Sequence, residues 1–261
     1  YISGSGRSAL WESYPIGNSL ISPQFWIAKS KLSSLTHERI KSKRVGFCDI
    51  SGKTNERTFM AALIPENVVC GNKVPTILFD NDNNNECLYV WLAITNSFVF
   101  DWAIRRILTT TVNYFLLQSI PFPRIIRGGL PWHSLLEKAQ EISSLDNVGY
   151  SYENLLRISY LRAEIDAEIA IAYGLCIEDM EVIMSDFPLL DRGQTPLKGE
   201  KKSTITRDLI LSTLARKLGF NSTTWQARKD EATSSGAVAY ISSQAIFKEG
   251  SIVTKKVVNN D

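Results

Sequence analysis

Arg44-Val45-Gly46-Phe47-Cys48-Asp49-Ile50 is followed by Thr54-Asn55-Glu56-Arg57-Thr58-Phe59-Met60-Ala61-Ala62-Leu63-Ile64-Pro65. The two segments read as strands over residues 44–50 and 57–64. The turn between them is Ser51-Gly52-Lys53-Thr54-Asn55. The second strand is strongly apolar and stops at Pro65. Working outward, Phe25-Trp26-Ile27-Ala28 is a short strand upstream, and Gly71-Asn72-Lys73 turns the chain into another over residues 76–79. The polar run 80–85 is a loop, whose Asn and Asp side chains can bond nearby backbone. Residues 86–106 then change period. Leu88, Trp91, Leu92, Thr95, Phe98, Val99 and Trp102 recur at helical spacing, and Arg105 and Arg106 suit the end of a helix dipole. Short strands followed by helices predict an α+β fold, with a mixed β-sheet and a long helix in the N-terminal half and a mainly helical C-terminal half.

Beyond the long helix, residues 113–120 read as an extended segment ending at Pro121-Phe122-Pro123, followed by a basic turn with Arg124, Arg127, Gly128 and Gly129. Helical patterns cover 135–145 and 152–173. In the second, Leu155, Ile158, Leu161, Ile165 and Ile169 make one stripe. A short helix over 178–184 precedes Phe187-Pro188, and residues 189–202 are loop-like. Ser203 or Thr204 caps a helix running to residue 218, with Gly219 as its terminator. Residues 238–247 are strand-like. Residues 1–23 are rich in Gly, Ser and Pro and read as loop. This pattern divides the chain into a basic α+β subdomain over 1–130 and a helical subdomain over 131–261.

The 261 residues are enough for one large or two small domains, and at 44% hydrophobic and 21% charged the composition is that of a globular protein. No apolar run reaches the roughly 18 residues of a membrane helix, and no basic segment followed by an apolar block marks a secretory signal. The chain begins without Met inside a polar stretch, which predicts a piece of a longer protein. Cys48, Cys70, Cys87 and Cys176 form no CxxC pair and the only histidines are His37 and His133, which argues against zinc. Scattered single cysteines fit a reducing, cytoplasmic location. The net charge of +2 is unevenly spread. Residues 1–130 carry 14 Lys and Arg against 9 Asp and Glu, whereas residues 131–261 carry 15 against 18. The excess concentrates between Lys29 and Arg57, where 8 basic residues face Glu38, Asp49 and Glu56. Such a stretch is what a phosphate-contacting surface needs, though a solvated basic face with no partner has the same composition.

Candidates for chemistry are few. Neither histidine lies in a nucleophile motif, and Gly128-Gly129 lacks the length and the Lys-Ser/Thr of a phosphate loop. The run 80–85 lacks the glycine and terminal glutamate of a calcium loop. Asp191 with Glu200, Lys201 and Lys202 is the one set able to hold magnesium for DNA cleavage, and it sits among Pro188, Gly193, Pro196 and Gly199. Binding is the other class. Lys41, Lys43, Arg44 and Lys53 suit phosphate contacts; Arg124, Arg127, Lys198, Lys201 and Lys202 add charge on loops. Arg57 and Asn55 can read base edges, since Arg forks onto guanine and Asn onto adenine. Equally, Asn55 can form the turn and Arg57 can pair with an acid such as Asp49. Trp26, Trp91 and Phe98 are core candidates.

One resemblance joins these segments. The two strands already quoted, then Leu92-Ala93-Ile94-Thr95-Asn96-Ser97-Phe98, then Asn113-Tyr114-Phe115 ahead of Ile120-Pro121-Phe122-Pro123, resemble in order and spacing the C-terminal specificity domain of TaqI-like adenine-specific DNA methyltransferases, and of fused restriction-modification and phage-defence methylases. Leu161-Arg162-Ala163-Glu164-Ile165-Asp166, Tyr173-Gly174-Leu175, Phe187-Pro188 and Thr206-Arg207-Asp208 extend it over about two thirds of the chain. Leu10-Trp11-Glu12-Ser13-Tyr14 departs from the family's Tyr-Glu-Gly-Lys segment.

The resemblance implies a non-catalytic target-recognition domain that holds double-stranded DNA for an N6-adenine methyltransferase. In the family Arg57 and Asn55 belong to the fold signature. The Asn/Asp-Pro-Pro-aromatic segment and the glycine-rich S-adenosylmethionine turn are not in this chain. The resemblance therefore places the cofactor in a separate catalytic domain of the same parent protein. A magnesium-dependent nuclease and a non-DNA-binding interaction module of a defence complex are the alternatives.

Overall fold

The computed structural model describes residues 25–82, 84–148, 151–221, 223–241, 245–248 and 251–254. The loop expected over 1–23 and the segment around Leu10-Trp11 lie outside them. The fold is α+β.

Its N-terminal half is organised around strand β1 (Arg44–Phe47), all four residues of which are buried. Strand β2 (Ala61–Ile64) and strand β3 (Thr76–Ile77) flank it in the order β2-β1-β3. Both pairings are antiparallel, with Phe47 opposite Ala61 and Val45 opposite both Leu63 and Ile77, so the sheet is antiparallel throughout. Gly46 is required at the centre. A Cβ there would stand 2.8 Å from Ile64 Cγ1 and 2.9 Å from Val74 Cγ1. The second strand starts later than the apolar run at 57 suggests, because the Thr58 N–H turns away to the Asp101 carboxylate. Phe59 enters an aromatic cluster with Phe47 at 5.7 Å and Phe100 at 5.6 Å. Helix α1 (Ser34–Arg39), which periodicity did not predict, is capped by Ser33 through the Thr36 N–H.

The single helix predicted over 86–106 is two, α2 (Glu86–Thr95) and α3 (Phe98–Ile107), bent by 64°. Ser97 makes the break. Its hydroxyl donates to Ile94 O at 2.7 Å and accepts from the Phe100 N–H at 3.2 Å, ending one helix and capping the next. The apolar period survives because both helices bury a face. The extended segment expected over 113–120 is instead helix α4 (Tyr114–Ser119), capped by Asn113 Oδ1 on the Leu116 N–H at 2.8 Å.

The second half is helical: α5 (Leu130–Val148), α6 (Tyr152–Ala172), α7 (Ile177–Ser185), α8 (Ile205–Lys217) and α9 (Thr223–Ser234). Helix α6 packs against α5 and α8. Its predicted stripe, Leu155 to Ile169, is buried. Helix α8 has Thr204 at its N-cap and Leu218 at its C-cap, with Gly219 at φ 79°. Of the strand expected over 238–247, residues 238–241 are not extended into a sheet. The remainder meets strand β4 (Ala245–Lys248), which pairs with β5 (Ser251–Thr254) in a hairpin; residues 242–244 lie outside the described set. One cluster of buried side chains runs from Phe47 to Ala239, across residue 130. Phe98 and Trp91 join it as expected, whereas Trp26 is 88% exposed and joins no buried cluster among the described residues. Among the described residues no single helix is long and apolar enough to cross a membrane.

Candidate nucleic-acid interface

The first group of predicted contacts separates sharply by burial. Arg44, on the central strand, is 2% exposed and donates to Ser42 O and Val68 O. It holds the chain entering the sheet and is not available to a phosphate. Lys41 pairs with Glu38 at 2.6 Å on the surface. Lys43 is exposed and has no hydrogen-bond or ion-pair partner among the described residues. Lys53, at the exposed turn, donates to Arg106 O at 3.3 Å and closes that turn onto α3.

Arg57 occupies the centre of a network. Its Nε donates to Asp101 Oδ2 at 2.6 Å, and its second guanidinium nitrogen donates to Asn96 O at 2.6 Å and Ser97 O at 3.2 Å. The guanidinium lies 4.1 Å from the Phe98 ring centroid. The acid it pairs with is thus Asp101, while Asp49 pairs with Lys73. Asn55 is exposed. Its side chain donates to Ser51 Oγ at 3.4 Å, and its carbonyl accepts from Arg105 at 3.0 Å, so its backbone shapes the turn.

The loop cations fall into three settings. Arg127 approaches Asp82 at 3.8 Å and Glu86 at 3.6 Å, which ties it to the start of α2. Asp82 itself accepts from the Cys87 and Leu88 N–H groups, so the polar run serves as a helix cap. Arg124, Lys198 and Lys201 are exposed without a partner among the described residues; Lys202 donates to Pro188 O at 3.2 Å. Asp191 and Glu200 do not converge. Asp191 accepts from the Thr206 N–H at 2.9 Å and the Thr206 hydroxyl at 2.5 Å, capping α8, whereas Glu200 pairs with Arg228. Burial pushes the Asp191 carboxyl up to about 6.

The residues around Arg57 to which the sequence reading gave no role are Asn96, Ser97, Asp101 and Asp166. The Asn96 carboxamide accepts from the Ala61 N–H at 3.1 Å and donates to Ala61 O at 3.0 Å, as a neighbouring strand would. Asp166, on α6, accepts from the Phe98 N–H and from the Tyr240 hydroxyl, both at 2.7 Å. Burial pushes its carboxyl up to about 6, against the opposing pull of the nearby Arg57 charge. A signal was present: Asn96, Ser97, Asp101 and Asp166 are polar residues inside strongly apolar helical stretches, and buried polar groups need partners.

No protein-family model matches this chain, and neither a curated protein nor a solved structure matches it significantly.

Proposed function

We propose that the chain is the DNA-binding target-recognition domain of a cytoplasmic, S-adenosylmethionine-dependent N6-adenine DNA methyltransferase of a restriction-modification or phage-defence system. One observation carries the reading. The segments on which the resemblance rests are far apart in sequence, yet their polar residues meet. Arg57 donates to the Asn96 and Ser97 carbonyls, and the Phe98 N–H that follows them donates to Asp166, as in a fold signature. This spends Arg57 on the fold and leaves exposed cations, Lys43, Lys53 and Arg124 among them, for phosphates. The domain holds duplex DNA against the catalytic domain of its parent, where the cofactor binds and the target adenine is taken out of the stack.

Fluorescence anisotropy with duplex DNA across a salt series tests it. The variant is Lys43→Glu with Lys53→Glu and Arg124→Glu, which spares the buried Arg44. Binding that weakens steeply with salt, with a shallower slope in the triple variant, is expected. Salt-independent binding, or none by the chain joined to its catalytic domain, would overturn the reading.

A further inference from the structure

A cavity of about 440 Å³ lies between the outer edge of β2 and helices α2, α5 and α6. It lies in the size range of small-molecule sites. Tyr89, Leu92, Ile142 and Ile165 give it apolar walls, and Arg57, Arg162 and Asp166 are among its polar lining.

The register of β2 decides what such a cavity can hold. The Cys48 N–H donates to Met60 O at 3.1 Å, so Met60 faces β1. Antiparallel strands alternate, so Ala61 and Leu63 turn their N–H and C=O groups outward. At Ala61 both outward groups are taken by the flat edge of the Asn96 carboxamide. At Leu63, which lines the cavity, the same two groups have no hydrogen-bond partner among the described residues. Two residues on, Pro65 has no N–H. An added peptide strand could therefore gain only one rung, blocked by Asn96 on one side and stopped by proline on the other. A planar group with an acceptor beside a donor is satisfied by that single rung, as Asn96 demonstrates at the rung before it. The adenine edge, N1 beside the N6 amino group, repeats the carboxamide pattern.

Charge completes the site. Arg162 is exposed and has no hydrogen-bond or ion-pair partner among the described residues. Its guanidinium stands 6.0 Å from the Tyr240 ring centroid, and Asp166, one turn on, also lines the cavity with its two oxygens engaged by the Phe98 N–H and the Tyr240 hydroxyl. We infer that this cavity binds a nucleoside monophosphate, with the base edge on the Leu63 backbone and the phosphate on Arg162. A free nucleotide and one residue of a DNA strand present the same chemistry. The inference stands independently of duplex binding by the basic surface.

Calorimetric titration of the full chain tests it, with deoxyadenosine monophosphate in one arm and a short single-stranded DNA in the other. Arg162→Glu changes an exposed side chain. Leu63→Pro deletes the outward N–H and trades the leucine side chain for a proline ring, at an edge where proline is tolerated. Melting temperature reports whether each variant folds, and deoxyribose 5-phosphate, which lacks the base, serves as a probe that needs no variant. Deoxyadenosine monophosphate is expected to bind the parent chain and to lose about tenfold or more in Arg162→Glu, with a similar deficit for the base-free probe. Binding of the single strand alone, lost in the same variants, supports the site with DNA as the source. The inference is overturned if neither probe binds, if the variants bind as well as the parent, or if the base-free probe binds as tightly as the nucleotide.

Discussion

Arg57 and Asp101, 44 residues apart in sequence, form a 2.6 Å ion pair that ties the approach to β2 onto the first turn of α3. The Asp101 side chain is fully buried, and its two oxygens also accept from the Thr58 N–H. The arginine meanwhile satisfies the Asn96 carbonyl left open where α2 breaks into α3, and it adds a second donor to the Ser97 carbonyl, which already accepts from the Asp101 N–H. One side chain thus serves the sheet, the break between helices and the buried carboxylate.

Arg57→Ala is therefore expected to act on folding. It takes from a buried carboxylate the nearer of its two cations, Arg105 standing 3.9 Å away, and leaves the Asn96 carbonyl unsatisfied. The cost should be about 1–3 kcal/mol, or roughly 2–12 °C in melting temperature for a chain of this size. Arg57→Lys should rescue little, because an ammonium cannot fork onto Asp101 and the two carbonyls together. Calorimetry on both variants checks it. Unchanged melting with weakened DNA binding would instead make Arg57 a base reader.

Arg44 and Lys43 are neighbours with opposite expected behaviour. Arg44→Ala removes a buried guanidinium from Ser42 O and Val68 O and should cost about 1–3 kcal/mol in urea denaturation. Lys43→Ala, on the exposed surface, should stay within about 0.5 kcal/mol of the parent. Equal stability of the two variants would contradict the burial difference.

Gly46→Ala is expected to destabilise the sheet, although alanine is a mild substitution elsewhere. The new methyl would stand within 3 Å of Ile64 and Val74 side chains, forcing apart β2 and the approach to β3. Overpacking of this kind costs about 1–3 kcal/mol. A parallel Gly71→Ala, where a Cβ meets nothing within 4 Å, is the control for the glycine-to-alanine change itself. If both variants unfold at the same urea concentration, the crowding at Gly46 is not limiting.

Much of this architecture was legible in residues 44–65 and 86–106, where apolar period and Pro65 marked the strands and the helical faces. Less legible was whatever depends on a local polar bond. Ser97 breaks a helix whose apolar stripe continues unbroken, and Asn113 starts a helix in a stretch that reads as extended, each through one side-chain hydrogen bond. Charge misled at Arg44, because a cation inside a basic run looks solvated until β1 is seen to run through the middle of the sheet. The cavity beside Leu63 depends on strand register, which residue types alone do not specify.

Asp166 makes stability depend on pH in a direction opposite to that of most surface acids. Its carboxyl titrates near 6 in the folded chain, well above its ordinary 3.8, because burial opposes its charge. Between those values the folded state holds a proton that the unfolded chain has released, so stability present at low pH is lost as pH rises through about 6. Asp191 behaves alike, whereas acids held low by a cation, such as Glu164 beside Lys217 and Arg216, gain stability with rising pH only below about pH 4.5. From about pH 4.5 to pH 7 the contribution of Asp166 should fall by about 2 kcal/mol. Asp166→Asn keeps an acceptor for the Phe98 N–H and cannot titrate. Urea midpoints across this range should therefore decline less steeply in the variant than in the parent. Parallel pH profiles would mean that Asp166 is already ionised throughout, with the Arg57 charge outweighing its burial.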